Sequence, residues 1–256
     1  MKKLVSIIFI GIFVTSCQIR EEMTIHKDGS GEYRLGIDVG SMIKAMNEMK
    51  KDTVAKVDVK SQPEESIDSL IPVDYFYQKA KDSIQLTKEE EKAFEEMKGL
   101  MMHIKMDKDA GIMKFEYIYP YKKMNQLNNF FQNLKLINEV EKKYKEKKTT
   151  ETNDMINELG KYKVNYSFKR KIFKRKTISL NKKEGKAEAK EEKKGLDKLS
   201  DFFQYEIVYH FPYPIKKVKY KGEAKMSADR KTLYIKVPVD ELDDNPKLLD
   251  FEVILE

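Results

Sequence analysis

One cysteine, Cys17, stands in 256 residues. A single thiol forms no intramolecular disulfide, so stability must come from an apolar core. No apolar run reaches the roughly 20 residues of a membrane-spanning helix. Leu4 to Val14, broken by Ser6 and Gly11, gives way to Gln18, Arg20, Glu21 and Glu22. His26, His103 and His210 fall in three separate strand readings, none with a second ligand at zinc spacing. There is no G-x-S-x-G nucleophile motif and no cysteine to spare as a nucleophile. "DGSG" at 28–31 lacks the Lys-Ser/Thr ending of a phosphate loop and the G-x-G-x-x-G spacing. Asp107 to Gly111 resembles the start of a calcium loop, but its glycine is misplaced and Ile118 stands where the closing glutamate belongs. Carboxylate pairs such as Glu64-Glu65 and Asp243-Asp244 are routine in polar segments. These absences predict a protein that is not an enzyme and carries no cofactor or metal.

What is present begins at the amino end. Lys2 and Lys3, the apolar stretch Leu4–Val14 and the small residues Thr15 and Ser16 have the layout of a secretory signal. Val14-Thr15-Ser16-Cys17 resembles the lipobox of bacterial lipoproteins. The resemblance implies diacylglycerol on the Cys17 sulfur, cleavage before it and acylation of the new amine. It also implies a lipid (palmitate-type) anchor in place of a transmembrane helix, with the only thiol consumed. An ordinary leader with a buried apolar cysteine is the alternative. Each buried methylene contributes roughly 0.8 kcal/mol, so several acyl chains hold stably where one does not.

Loss of Met1–Ser16 removes Lys2 and Lys3 and no acid, lowering the formal charge from +7 to +5. Charged residues make up 36% and apolar residues 40%, and 14 Tyr with 13 Phe suffice for a core. The expected layout is a signal peptide at 1–16 and a lipidated tether at 17–22. An α+β region at 23–145 precedes a β-rich region at 146–256 with a flexible basic insertion near 181–194. One continuous domain is the alternative.

Period-2 apolar patterns around Asp28-Gly29 and around 107–111 predict two hairpins. Ser41 caps a predicted helix with Met42, Ile43, Met46 and Met49 on one face. Lys50–Ser69 reads as a loop with a short strand near 54–59, and Val73–Ile84 as a helix. Thr87-Lys-Glu-Glu90 is a capping box before a helix with Ala93, Phe94, Met97 and Leu100 on one face. Met124, Leu127, Phe131, Leu134, Ile137 and Val140 form the strongest amphipathic helix. Short helices are predicted at 155–160 and 196–202. Further strands are expected at 162–168, 172–180, 204–211, 215–220, 233–239 and 248–255. Pro238 is confined to an edge or a strand end, because it donates no ladder hydrogen bond. The fold class is therefore α+β, an antiparallel sheet built of hairpins with amphipathic helices packed on one face.

Two spacings coincide: Tyr162-x3-Tyr166-x-Phe168-x3-Ile172-x-Lys174 and Tyr205-x3-Tyr209-x-Phe211-x3-Ile215-x-Lys217. A true repeat requires equivalent strands with exits on the same side; coincidence in an aromatic-rich chain is the competing account. The first copy runs into "KRKIFKRK". Its basic residues Lys169, Arg170, Lys171, Lys174, Arg175 and Lys176 are candidates for contact with an anionic surface. A solvated hairpin tip is the plain alternative, and an exported protein has no call for nucleic acid.

Beyond the lipobox, the "DGSG" hairpin, "HIKMDKDAGIMKFEY" before "MNQLNNFF" and the closing "NPKLLDFEVILE" resemble uncharacterised lipoproteins of the Bacteroidetes. The lipidated start, early hairpin and strand–helix alternation are similar to LppM-type envelope domains, which implies an α+β module linked to lipid binding. Glu21 and Glu22 after the cysteine resemble surface-export signals, leaving the orientation open. The resulting expectation is a cell-envelope protein anchored in the outer membrane through Cys17. It would be a non-catalytic binding or assembly component whose partners are anionic lipid headgroups or envelope proteins. The alternatives are a protein that binds lipid or another hydrophobic ligand, and a hydrolase whose carboxylates meet only in the fold.

Overall fold

Asp28 and Gly29 set the first hairpin. Gly29 adopts a φ of +83°, open to glycine without a steric cost. Asp28 Oδ1 accepts from the Ser30 amide at 3.0 Å and from its hydroxyl at 2.7 Å. The turn joins β1 (Cys17–Ile25) to β2 (Gly31–Asp38), antiparallel from Gln18 opposite Asp38 to Ile25 opposite Gly31. The computed structural model describes residues 17–38, 40, 66–81, 84–107, 110–145, 162–180 and 203–256. The elements expected at 42–49, 54–59, 155–160 and 196–202, and the basic insertion at 181–194, lie outside those residues.

β3 (Ile67–Pro72) leads into α1 (Val73–Lys81), followed by α2 (Lys88–Glu96). The α2 capping box is formed as its sequence predicts. The Glu90 amide donates to Thr87 Oγ1 at 3.2 Å, and the Thr87 amide donates to Glu90 Oε2 at 2.8 Å. The hairpin of β4 (Met101–Asp107) and β5 (Ile112–Tyr121) comes next, then a 3₁₀ turn (Met124–Asn129) running into α3 (Phe130–Lys145). β6 (Tyr162–Lys169) and β7 (Ile172–Ser179) form a tight hairpin. β8 (Phe203–His210), β9 (Ile215–Lys219), β10 (Ala224–Met226) and β11 (Thr232–Pro238) follow. The short α4 (Val239–Asp244), a second 3₁₀ turn (Pro246–Leu249) and β12 (Phe251–Leu255) close the chain order. Pro238 is the last residue of β11, where no ladder donor is needed.

The fold is α+β, and its sheets are mostly antiparallel. Eight strands lie in the order β10-β11-β8-β1-β2-β5-β4-β3, and four in the order β6-β7-β12-β9. Two features go beyond the alternation pattern: the second sheet, and the parallel pairing of β1 with β8. Period-2 patterning marks which side chains point inward but carries no information on which strand lies alongside. Strands from 17–121 and from 203–238 share the larger sheet.

One face of that sheet is buried across β11, β8, β1, β2 and β5. Glu21 lies opposite Leu35 and Met23 opposite Tyr33, so the inward residues of β1 and β2 share a face. Over β2 and β5 the cover is helical, with the Tyr33 and Phe130 rings 4.7 Å apart. Over β1 and β8 the cover is the four-stranded sheet, with Phe173 of β7 edge-on to Tyr209 at 5.5 Å. The 3₁₀ turn and α3 close the free edge of β6: Asn128 Oδ1 accepts from the Tyr166 amide at 2.9 Å, and the Gln132 amide donates to the Tyr162 carbonyl. The opposite face of the larger sheet meets water and carries ion pairs. Arg20 reaches Glu22 and Glu206 at 2.9 Å, and Arg34 reaches Glu32 at 2.7 Å. Exposed pairs of this kind contribute about 0–1 kcal/mol each, so they solubilise the face more than they stabilise it.

The segment expected as a tether, 17–22, is instead part of β1. Ile19 and Glu21 extend the inward phase of Met23 and Ile25, and all four are buried. The repeated spacing does not give equivalent strands. β6 lies in the smaller sheet and β8 in the larger one, whereas β7 and β9 flank β12. The shared spacing has one structural consequence: Tyr166 and Tyr209, at matching positions, approach the same carboxylate from opposite sheets.

Candidate functional site

That carboxylate is Glu21, and its residue is fully buried. β8 runs parallel beside β1 with Ile207 opposite Glu21. Tyr205 and Tyr209, two residues to either side of Ile207, share its face, and both hydroxyls donate to Glu21. From the facing sheet, Tyr166 donates its hydroxyl to Oε1 at 2.7 Å, and Arg175 donates Nη2 to Oε2 at 3.0 Å. Arg175 also donates Nη1 to the Leu249 carbonyl at 3.1 Å and to Thr177 Oγ1 at 3.2 Å. Burial alone would raise the Glu21 pKa, but the Arg175 charge and the hydrogen bonds from Arg175, Tyr205 and Tyr209 together hold it below its ordinary value. Burial, reinforced by the Glu21 charge, pushes the hydroxyls of Tyr166, Tyr205 and Tyr209 up, so they remain donors. Charge and hydrogen bonds are matched on both sides. The cluster locks the two sheets together and offers no open coordination or nucleophile.

Arg175 therefore leaves the set of surface candidates. It alternates with Lys174 and Lys176 along β7, and period 2 turns it inward, where it is 2% exposed. Lys174 faces out but is engaged by Glu252 at 2.7 Å. That carboxylate also holds Lys219 at 2.6 Å, and the bonds from Lys174 and Lys219 take its pKa down to about 2. Lys176 is exposed.

Lys169, Arg170 and Lys171 form the β6–β7 tip, all exposed and without an ion pair to any described residue. Arg170 and Lys171 adopt φ of +50° and +62°. A two-residue turn of this kind prefers Asn-Gly, because glycine lacks a Cβ and asparagine tolerates the left-handed region better than longer side chains do. The Lys171 ammonium lies 4.9 Å from the centre of the Tyr213 ring, and Lys27 lies 5.8 Å from it. The β1–β2 turn is adjacent, since a Cβ on Gly29 would sit 3.8 Å from Phe168. Basic side chains from two turns thus gather around one ring at one end of the two-sheet body. Cys17 begins β1 at the other end, with Phe203 as its strand partner. Eight residue steps to Ile25, at roughly 3.3 Å each, separate the two ends by about 26 Å.

Replacing Arg170-Lys171 by Asn-Gly is expected to stabilise the fold by about 1 kcal/mol, because both new residues tolerate the left-handed region. Denaturant titration would register this as a higher midpoint at constant slope. A lower midpoint would show that the two basic side chains support the fold.

The histidines are dispersed: His26 bonds Ser30, His103 bonds Asp68, and His210 bonds Thr232 and Glu22. Among the described residues no group of three His, Cys, Asp or Glu is placed to hold a metal ion, and no helix is long and apolar enough to cross a membrane. Sequence reasoning missed Glu21, which falls in the segment expected as a lipidated tether, 17–22. The available signal was its phase, since Ile19-x-Glu21-x-Met23-x-Ile25 puts a carboxylate on the inward side of a strand.

In class the molecule is an α+β protein in which a mixed eight-stranded sheet is covered on one face by helices and by a second sheet. No family model and no curated protein sequence matches the chain. Among solved structures it is similar to the folded domain of the LppM protein of Mycobacterium tuberculosis, determined by NMR. The TM-score is 0.35 at 8% identity, over 94% of this chain and 91% of that one.

Proposed function

We propose that this chain is a lipid-anchored protein of the bacterial cell envelope, held in the outer membrane through acylated Cys17. Its folded body is a non-catalytic binding or assembly component that meets an anionic partner with the β6–β7 tip. The observation that carries the binding role is the tip itself: three consecutive basic side chains with no carboxylate partner among the described residues, two of them at backbone angles that favour other residues. Strain kept at a surface turn points to a use for those side chains. The inter-sheet space supports contact at the surface over enclosure of an apolar ligand. Phe173 packs ring to ring with Tyr209, Phe211 and Phe251, and the Glu21 cluster is buried between the same sheets. Because β1 runs about 26 Å from Cys17 to the end of the body that carries the tip, the tip addresses a partner beyond the anchoring headgroups.

Two substitutions separate the parts of the proposal. Cys17→Ser is expected to abolish labelling by radioactive palmitate and to move the protein out of the membrane fraction. Retention of both overturns the anchor. Lys169→Glu, Arg170→Glu and Lys171→Glu together should leave labelling intact and reduce binding to added anionic vesicles by tenfold or more at low salt. Unchanged vesicle binding removes the tip from the function.

A further inference from the structure

A second basic surface lies where β9 ends and the loop after α4 passes beside it. The cleft there has a volume of about 560 Å³, and Lys219, Lys221 and Lys247 reach it from two chain segments. Tyr220, Asn245 and Leu248 complete most of the wall. The Tyr220 ring is held in place. It stands edge-on to Phe251 at 6.4 Å, and it lies so close to Gly222 that a Cβ there would come within 2.8 Å of it. Burial keeps the Tyr220 hydroxyl protonated, as a donor.

Asp250 also lines the cleft, and both it and the neighbouring Glu252 are already engaged. Asp250 accepts from the Thr177 amide at 2.6 Å, and Glu252 is shared between Lys219 and Lys174. Lys221 and Lys247 have no ion pair with a described residue and are exposed. Three lysines, a tyrosine and an asparagine thus share the lining of a concave space with one aspartate and one leucine. Lysines without arginine suit a compact dianion held as a point charge more than a planar carboxylate gripped by a fork.

We propose that this cleft binds the phosphate of a phosphomonoester, with Lys221 and Lys247 neutralising the dianion and Tyr220 and Asn245 orienting it. Leu248 faces the group that the phosphate carries. The site is separate from the β6–β7 tip and does not depend on Cys17. Two sources supply this chemistry: a small soluble phosphate ester, or a lipid headgroup ending in a phosphomonoester.

Isothermal titration of the full chain in neutral nanodiscs, with inorganic phosphate and then glycerol phosphate, is the direct measurement. Saturable binding is expected, tighter for the ester. Lys221→Glu with Lys247→Glu should weaken it at least tenfold, while charge reversal at Lys169, Arg170 and Lys171 should leave it unchanged. Gly222→Ala, which displaces the Tyr220 ring with every lysine kept, should weaken it severalfold. Phosphatidic acid nanodiscs form the second arm. Cleft-dependent binding there without binding of the soluble ester assigns the site to a headgroup, and the reverse assigns it to a free metabolite. Binding that the double lysine variant leaves intact, or no saturable binding in either arm, overturns the proposal.

Discussion

Glu21→Gln is expected to lower the unfolding free energy by about 3–5 kcal/mol, the range for removing one partner of a buried ion pair. The size follows from what is left behind. Arg175 would remain buried with no opposing charge, and the donors from Tyr166, Tyr205 and Tyr209 would converge on a neutral amide carrying one acceptor oxygen in place of two. Arg175→Met should cost a similar amount for the mirror-image reason. The double variant should fall well short of the sum, because each change removes the same pair. Acid gives an independent reading. The folded state holds the Glu21 pKa below its ordinary value of 4.5. Its contribution is therefore complete above that value and is lost as pH falls through the lower folded one. Denaturant midpoints from pH 7 to pH 3 should drop more steeply for the natural chain than for Glu21→Gln. Parallel profiles would show that the carboxylate does not couple to folding.

Much of the architecture was legible because local rules sufficed. Asp28-Gly29, the Thr87–Glu90 box and the apolar stripe from Met124 to Val140 each specify an element without help from the rest of the chain. Pro238 marked a strand end for the same reason. Pairing was not legible. β1 finds β8 across 186 residues, and nothing in the alternation of either strand names the other. The β3 strand is not legible, and its first residues fall in the loop expected at Lys50–Ser69, since its alternating residues are half exposed at a sheet edge and carry a weak pattern.

The candidate site divides along the same line. A run of basic residues identified the tip, yet only the register of β7 separates Arg175 from Lys174 and Lys176. Charge in the sequence does not distinguish a cation that meets solvent from one that closes a core. Glu21 was hidden by the opposite error, because an acid soon after the lipobox cysteine reads as tether and not as core. The cleft was invisible to sequence reasoning. Lys221 and Lys247 are 26 positions apart in a lysine-rich chain and meet only because β12 draws the preceding loop against β9.

Phe173→Ala is the second large effect, expected at about 3–5 kcal/mol for a fully buried ring. Phe173 centres the inter-sheet core, with Tyr209 and Phe211 each 5.5 Å away and Phe251 at 5.9 Å. Its loss removes more than packing. The flank of the Tyr209 ring rests on Phe173, and the hydroxyl at the far end of that ring is one of the donors to Glu21. With the ring gone Tyr209 can tilt, which weakens the bond that holds the carboxylate. Tyr209→Phe alone should cost about 1.5–3 kcal/mol, as expected for a hydrogen bond to a charged group. Combined with Phe173→Ala it should cost less than the sum, since the first change has already spoiled the geometry the second would remove. Phe94→Ala, in the helical layer with Tyr77 as its ring partner, should add to Phe173→Ala without coupling. Additivity in both pairs would separate the aromatic packing from the ionic cluster, whereas coupling in the first pair alone makes them one cooperative joint between the sheets.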